Sequence, residues 1–257
     1  MKIKILCYPT FISLLLLCIP ALACDFPSGQ RSANIVYLSD SHGLGPFGEA
    51  LDLWLRQRDR IKAETWVVGG TAPWQWINPY TRWVSPMGYH DEGCSGSVPA
   101  PRRNLGKVTT PYLPTFLEKY AELSDKYIII ALGANATPNN EGFKFLQTNV
   151  TKVVKLVSQH NFKCIWIGPP RMRRWDNDQN RAIKRYEKIY QALIIGIEQA
   201  SASDPESTCT LIDSRPISYY PAQGGDGIHF SMNLPEHRQA AKQWADEIIL
   251  QLESLLN

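Results

Sequence analysis

Two short segments near opposite ends of the chain carry side chains suited to acyl transfer. The first is Ser39-Asp40-Ser41-His42-Gly43. Ser41 follows an apolar run and precedes an amphipathic one, so its hydroxyl is expected at a turn from strand into helix. A helix start there adds unpaired backbone N–H groups and the positive end of the helix dipole. The second segment is Asp226-Gly227-Ile228-His229, which sets a carboxylate and an imidazole three positions apart on one loop. Two more segments offer hydrogen-bond donors. Gly69-Gly70-Thr71 has glycines whose backbone N–H can approach a ligand closely, and Gly133-Ala134-Asn135 ends in a side-chain amide.

These segments need a scaffold that brings them together. Ala33–Asp40, Glu64–Gly70, Tyr127–Gly133, Phe162–Gly168 and Cys209–Asp213 read as strands. Tyr127–Gly133 is nearly all apolar, as expected of a central parallel strand covered on both faces. Phe47–Arg58 has apolar residues at helical spacing, and Asn140–His160 repeats the pattern with Phe143, Phe145, Leu146, Val150, Val153, Val154 and Val157 on its buried side. Asp178–Ala200 and Pro235–Leu256 read as further helices, Pro235 suiting a first turn. The alternation predicts a three-layer α/β/α sandwich, flavodoxin-like, with a parallel sheet of about five strands. Ligands of such sheets bind beyond the carboxyl ends of the strands. Residues 71–105 break the rhythm, holding Trp74, Trp76, Tyr80, Trp83 and Tyr89 among prolines and glycines, and are expected to overhang the active face.

Length and composition set outer bounds. Residues 1–23 read as an export signal: Lys2 and Lys4, an apolar run from Phe11 to Ile19, and Ala21-Leu22-Ala23 as the cleavage site. The remaining span, 24–257, suits one domain. Cleavage would make Cys24 the first residue and opens a lipid-anchor alternative. Lipoprotein signals usually have Leu where Ala21 stands, so an unmodified product, secreted or periplasmic, is the expectation. No later apolar stretch is long enough to span a membrane. Setting aside Lys2 and Lys4, the 27 basic residues fall to 25 against 24 acidic ones. That balance gives no pull toward nucleic acid or anionic membrane. Cys24, Cys94, Cys164 and Cys209 would meet an oxidising compartment. Cys164 and Cys209 each open a strand, and those strands are candidate neighbours, so the favoured pairing is Cys164–Cys209 with Cys24–Cys94.

The four polar segments together resemble the SGNH (GDSL-type) hydrolase family, named for a serine, a glycine, an asparagine and a histidine in separated blocks. The resembling residues are SDSHG at 39–43, GGT at 69–71, LGAN at 132–135 and DGIH at 226–229. They stand in the family's order and span most of the chain. Two departures are visible. Ser39 stands where the family has Gly, and Ala136 follows Asn135 where it usually has Asp. The resemblance implies a carboxylic ester hydrolase with Ser41 as nucleophile, His229 as general base and Asp226 as its orienting carboxylate. It implies an oxyanion hole built from the N–H of Ser41, that of Gly70 (with Gly69 as the alternative) and the Asn135 amide. No cofactor and no metal are expected.

A small acyl group, acetyl, removed from a carbohydrate or cell-envelope substrate is the favoured reaction. Two alternatives stay open: an O-acyltransferase using the same triad, and a non-catalytic carbohydrate-binding module on the same fold. His42, Trp74 and Arg171 are candidate substrate contacts. Arg171, Arg173 and Arg174 could grip an anionic group, and the aromatic residues around Trp74 could stack on sugar rings. Asn135 and Asn149 each open an Asn-x-Thr sequon; the oxyanion role is preferred for Asn135. The sequence carries no indication of oligomeric state.

Overall fold

The computed structural model describes residues 33–59, 61–80, 82–94, 106–137, 139–176 and 179–256. The proposed signal, Cys24 and the Cys24–Cys94 pairing lie outside them. In chain order the elements are β1 (Ala33–Ser39), α1 (Pro46–Gln57), β2 (Ile61–Val68), α2 (Trp74–Ile77), β3 (Val84–Cys94), β4 (Gly106–Thr109), α3 (Leu113–Glu118) and β5 (Lys126–Ala131). There follow α4 (Asn140–Gln159), β6 (Lys163–Ile167), α5 (Arg173–Asp176), α6 (Gln179–Ser203), β7 (Cys209–Ile212) and α7 (Pro235–Leu255).

The sheet has seven strands in the order β4-β3-β2-β1-β5-β6-β7. β2, β1, β5, β6 and β7 run parallel, as the strand–helix rhythm predicts. β3 and β4 are added antiparallel at one edge. They extend the five parallel strands to a mixed sheet of seven and give structure to much of the segment read as irregular. β3 contains Pro86, Gly88 and Gly93, which mask a strand signal.

Alternation along the strands sorts the core. Ile35 and Tyr37 of β1 pack with Phe47, Leu51 and Leu55 of α1 and Trp244 and Ile248 of α7. Val36 and Leu38 face the other layer, with Val150 and Val154 of α4 and Ile189 and Leu193 of α6. Trp76, in the aromatic segment, belongs to that second core and is fully buried. Phe145 corrects the reading of α4: it is 53% exposed. Cys164 and Cys209 stand opposite each other on β6 and β7 and are joined by a disulfide with Cα atoms 4.5 Å apart. Among the described residues no helix is long and apolar enough to cross a membrane.

Candidate active site

β1 stops at Ser39, and the Asp40 N–H still bonds the Ala131 carbonyl of β5 at 3.3 Å. Asp40 then caps the following turn, its Oδ1 accepting the His42 N–H at 3.0 Å. Ser41 opens a single 3-10 turn, Ser41–Leu44, immediately before α1. Among the described residues no acceptor takes the Ser41 N–H. A Cβ on Gly43 would come within 2.6 Å of Ser39 Oγ. Gly43 therefore makes room for a serine at the position where glycine was expected.

The other half of the site arrives from the far end of the chain. His229 Nε2 lies 2.9 Å from Ser41 Oγ, and His229 Nδ1 lies 2.6 Å from Asp226 Oδ2. The second oxygen of Asp226 accepts the backbone N–H groups of Ile228 at 2.8 Å and His229 at 2.7 Å. Partial burial would raise the Asp226 pKa, but the His229 N–H, the His229 ring and the Ile228 N–H overcome it and hold the carboxyl at about 2.

The loop bearing Asp226 and His229 is tied from three sides. Arg173 donates to the carbonyls of Ala222 and Gly224, each at 2.6 Å, and its guanidinium lies over the Tyr220 ring. The Tyr220 hydroxyl donates to the His229 carbonyl at 2.9 Å and accepts the Gly227 N–H at 3.1 Å. His237 of α7 sits 2.9 Å from the Gln223 carbonyl through Nε2 and accepts the Ser231 N–H at 3.3 Å through Nδ1. Gly225 has φ +61°, and a Cβ there would strike both His237 and the Tyr220 hydroxyl at 2.6 Å. Only glycine satisfies both conditions.

The donors converge on the same end of the sheet. Gly69 donates its N–H to the Met87 carbonyl at 2.9 Å, so that group is consumed by the β2–β3 connection. Gly70, at φ +77°, has an N–H that no acceptor takes among the described residues. Of the two glycines, Gly70 is therefore the one whose N–H is open toward the site among the described residues. Trp83 lies against Gly70, with its ring 3.4 Å from the position of a Gly70 Cβ and its Nε1 donating to the Gly69 carbonyl at 2.9 Å. Asn135 Nδ2 donates to the Thr71 carbonyl at 2.9 Å and to Asp40 Oδ2 at 3.3 Å.

Two buried titratable groups flank Ser41. Burial raises the Asp40 carboxyl to about 7, against the opposing His42 N–H bond and the nearby His229. Burial lowers the His42 imidazole to about 3, with His229 acting in the same direction and Asp226 opposing. Among the described residues, neither ring nitrogen of His42 has a hydrogen-bond partner. Its ring centroid is 5.7 Å from that of His229, and it meets Trp244 edge-on at 6.2 Å. Such an imidazole is a neutral wedge beneath His229.

Comparison with known proteins places this geometry. No protein-family model matches the chain, and no curated protein matches it by sequence. Solved structures do match. A carbohydrate acetylesterase from Sinorhizobium meliloti superposes with a TM-score of 0.51 at 12% identity, covering 87% of this chain and 100% of that one. The native aryl esterase of M. smegmatis gives a TM-score of 0.51 at 14% identity, covering 87% and 100%. The chain has the SGNH hydrolase fold. At these identities the likeness is one of fold.

Within the SGNH hydrolase fold, the structure gathers Ser41, Gly70, Asn135, Asp226 and His229 at one end of the sheet. Of the candidate substrate contacts, His42 is buried beneath His229, and Trp74 lines a groove beside Asn135. Arg171 lines a different surface groove, with Asp213, Arg215 and Glu187. Arg173, read with its neighbours as a grip for an anionic group, spends its guanidinium on the protein's own carbonyls. Nothing in the run of three arginines signals which one turns inward. Asn149 is buried and bonds the Phe145 carbonyl, so its sequon faces the helix packing.

Among the described residues, Glu64, His90 and Glu92 have the spacing of a metal-binding group. The Lys119 ammonium already lies 2.6 Å from Glu64 and 3.5 Å from Glu92. Glu64 is buried, which would raise its pKa. Hydrogen bonds from His90, Lys119, Tyr120 and Trp66 hold it well below the usual carboxylate range instead. A cation is thus already built into this cluster.

Proposed function

We propose that this chain is an exported serine ester hydrolase that removes a small acyl group, acetyl, from a carbohydrate or cell-envelope substrate. The observation that carries the reading is the continuous line from Asp226 through His229 to Ser41, with contacts of 2.6 and 2.9 Å.

Ser41 Oγ attacks the ester carbonyl carbon while its proton passes to His229 Nε2. Asp226 fixes the imidazole with its Nδ1–H toward the carboxylate and stabilises the charged ring. The carbonyl oxygen gains negative charge and is held by the N–H groups of Ser41 and Gly70, which no acceptor takes among the described residues, and by the Asn135 amide. The Asn135 bond to Asp40, the longer of its two, is the one the oxyanion replaces. Collapse breaks the C–O bond to the alcohol, which leaves with the proton from His229. Water, deprotonated by His229, then attacks the acyl carbon, releasing the acid and restoring Ser41.

The carbohydrate substrate is supported by the shared fold with the Sinorhizobium meliloti carbohydrate acetylesterase and by the aromatic side chain of Trp83 beside Gly70. Export is supported by the pattern of residues 1–23 and by the Cys164–Cys209 disulfide. Labelling with a fluorophosphonate probe tests the mechanism. The wild type should be labelled and Ser41→Ala should not; equal labelling of both would remove Ser41 from the nucleophile's role.

A further inference from the structure

A groove of about 70 Å³ opens beside Asn135 and has no part in the steps above. Its aromatic walls are Trp74 of α2 and Phe145 of α4, whose ring centroids stand 6.2 Å apart at 61°. Ala72 and Leu146 add apolar surface, and Asn135, whose amide reaches the Asp40 carboxylate at 3.3 Å, also lines the groove. Phe145 is 53% exposed on a helix whose other large apolar side chains are mostly buried. An exposed ring held against a half-buried tryptophan is apolar surface awaiting a ligand.

The chemistry fixes which part of an ester would reach this groove. In the tetrahedral adduct the oxyanion points to the donors, and the leaving alcohol points to His229, which must protonate it. The acyl substituent takes the remaining direction. Asn135 lines the groove, and its Nδ2 is 3.3 Å from the carboxylate of Asp40, the chain neighbour of Ser41. No residue of the 220–230 segment lines it. The groove therefore borders the oxyanion donors and lies away from the leaving-group side.

We propose that the groove lined by Trp74 and Phe145 receives the acyl chain along the face the two rings share, making these two residues the determinants of acyl length and extending the accepted group beyond acetyl to chains of a few carbons. The assignment rests on the Ser41–His229 mechanism proposed above. The test holds one partner of the ester constant at a time. Nitrophenyl acetate, butyrate, hexanoate and octanoate vary the acyl chain. Phenyl, naphthyl and sugar acetates vary the alcohol.

Wild type should hydrolyse butyrate and hexanoate as well as acetate. Phe145→Ala, at an exposed position where folding is not at risk, should lower the hexanoate-to-acetate ratio of kcat/KM by about tenfold. Trp74→Ala should act in the same direction. Ratios among the acetates should stay as in wild type. An unchanged chain-length ratio in Phe145→Ala, or a change confined to the alcohol series, would overturn the groove's assignment while Ser41→Ala remains inactive. Full activity in Ser41→Ala would instead bring down the mechanism and the groove's role together.

Discussion

Arg173 Nη2 donates to the carbonyl of Gly224 at 2.6 Å, two positions before Asp226. The same guanidinium reaches Ala222 at 2.6 Å, so one planar fork clamps the main chain that leads into the Asp226–His229 pair. The side chain touches no reacting atom in the proposed mechanism. It positions the two groups that do.

Arg173→Ala should lower kcat by about ten- to a hundredfold, the scale expected when a base is misplaced by roughly 1 Å. KM should change much less, because the acyl groove and the oxyanion donors are left in place. Arg173→Lys should recover little, since an ammonium cannot span two carbonyls as a fork does. Steady-state kinetics of both variants, beside their melting curves, separate positioning from loss of fold.

Asp226 accepts three hydrogen bonds, one of them from the His229 ring. Asp226→Asn should reduce kcat by about three to four orders of magnitude, because an amide opposite Nδ1 favours the wrong tautomer. Because the Asp226 carboxyl is held at about 2, it is ionised throughout the ordinary assay range. Its protonation should therefore set no limb of the wild-type pH–rate profile above about pH 3. A limb that vanishes only in Asp226→Asn would contradict this.

Asp40 and His42 should act on stability in opposite directions. The Asp40 carboxyl rises from 3.8 to about 7, so the folded state keeps a proton that the unfolded chain has lost. Stability from this group falls as pH rises through that window. The His42 imidazole falls from 6.5 to about 3, so the unfolded chain takes a proton that the folded state refuses. Stability from this group falls as pH drops through its window. Between about pH 4 and 6.5 the two slopes offset each other. Asp40→Asn should unmask a stability that climbs with pH across that range, and His42→Leu one that declines. Denaturant titrations at several pH values measure both; parallel, flat profiles in the two variants would refute the pairing.

The Cys164–Cys209 disulfide closes a loop across a sequence separation of 45. Loop-closure entropy assigns such a crosslink about 3–4 kcal/mol. The Cys164→Ser, Cys209→Ser double variant should lose stability on that scale while keeping its fold, because β6 and β7 remain paired along four positions. Chemical denaturation of the two proteins gives the difference directly.

The parallel core was legible from residue patterns alone. The near-continuous apolar run of β5 requires cover on both faces, and the 3.6-residue spacing in α1 and α4 supplies it. The polar blocks were legible too, because three stand where a strand ends and the fourth, Asp226–His229, stands in the loop before the closing helix. β3 was not: proline and glycines interrupt its pattern, and its pairing with β2 is a long-range choice. Phe145 was misread because helical spacing marks a face without saying how far the neighbouring elements extend over it.

The sequence by itself determined which chemical groups are present and which strand end or loop carries each. Local rules of strand, turn and helix suffice for that, since they depend on residues a few positions apart. Only the tertiary structure decided that His229 reaches Ser41 across 188 positions, that the Gly69 N–H is taken by the Met87 carbonyl, and that Arg173 turns inward. Those outcomes depend on which backbone carbonyls come within hydrogen-bond reach of which donors. That competition is settled by packing the whole chain and leaves no trace in any short segment.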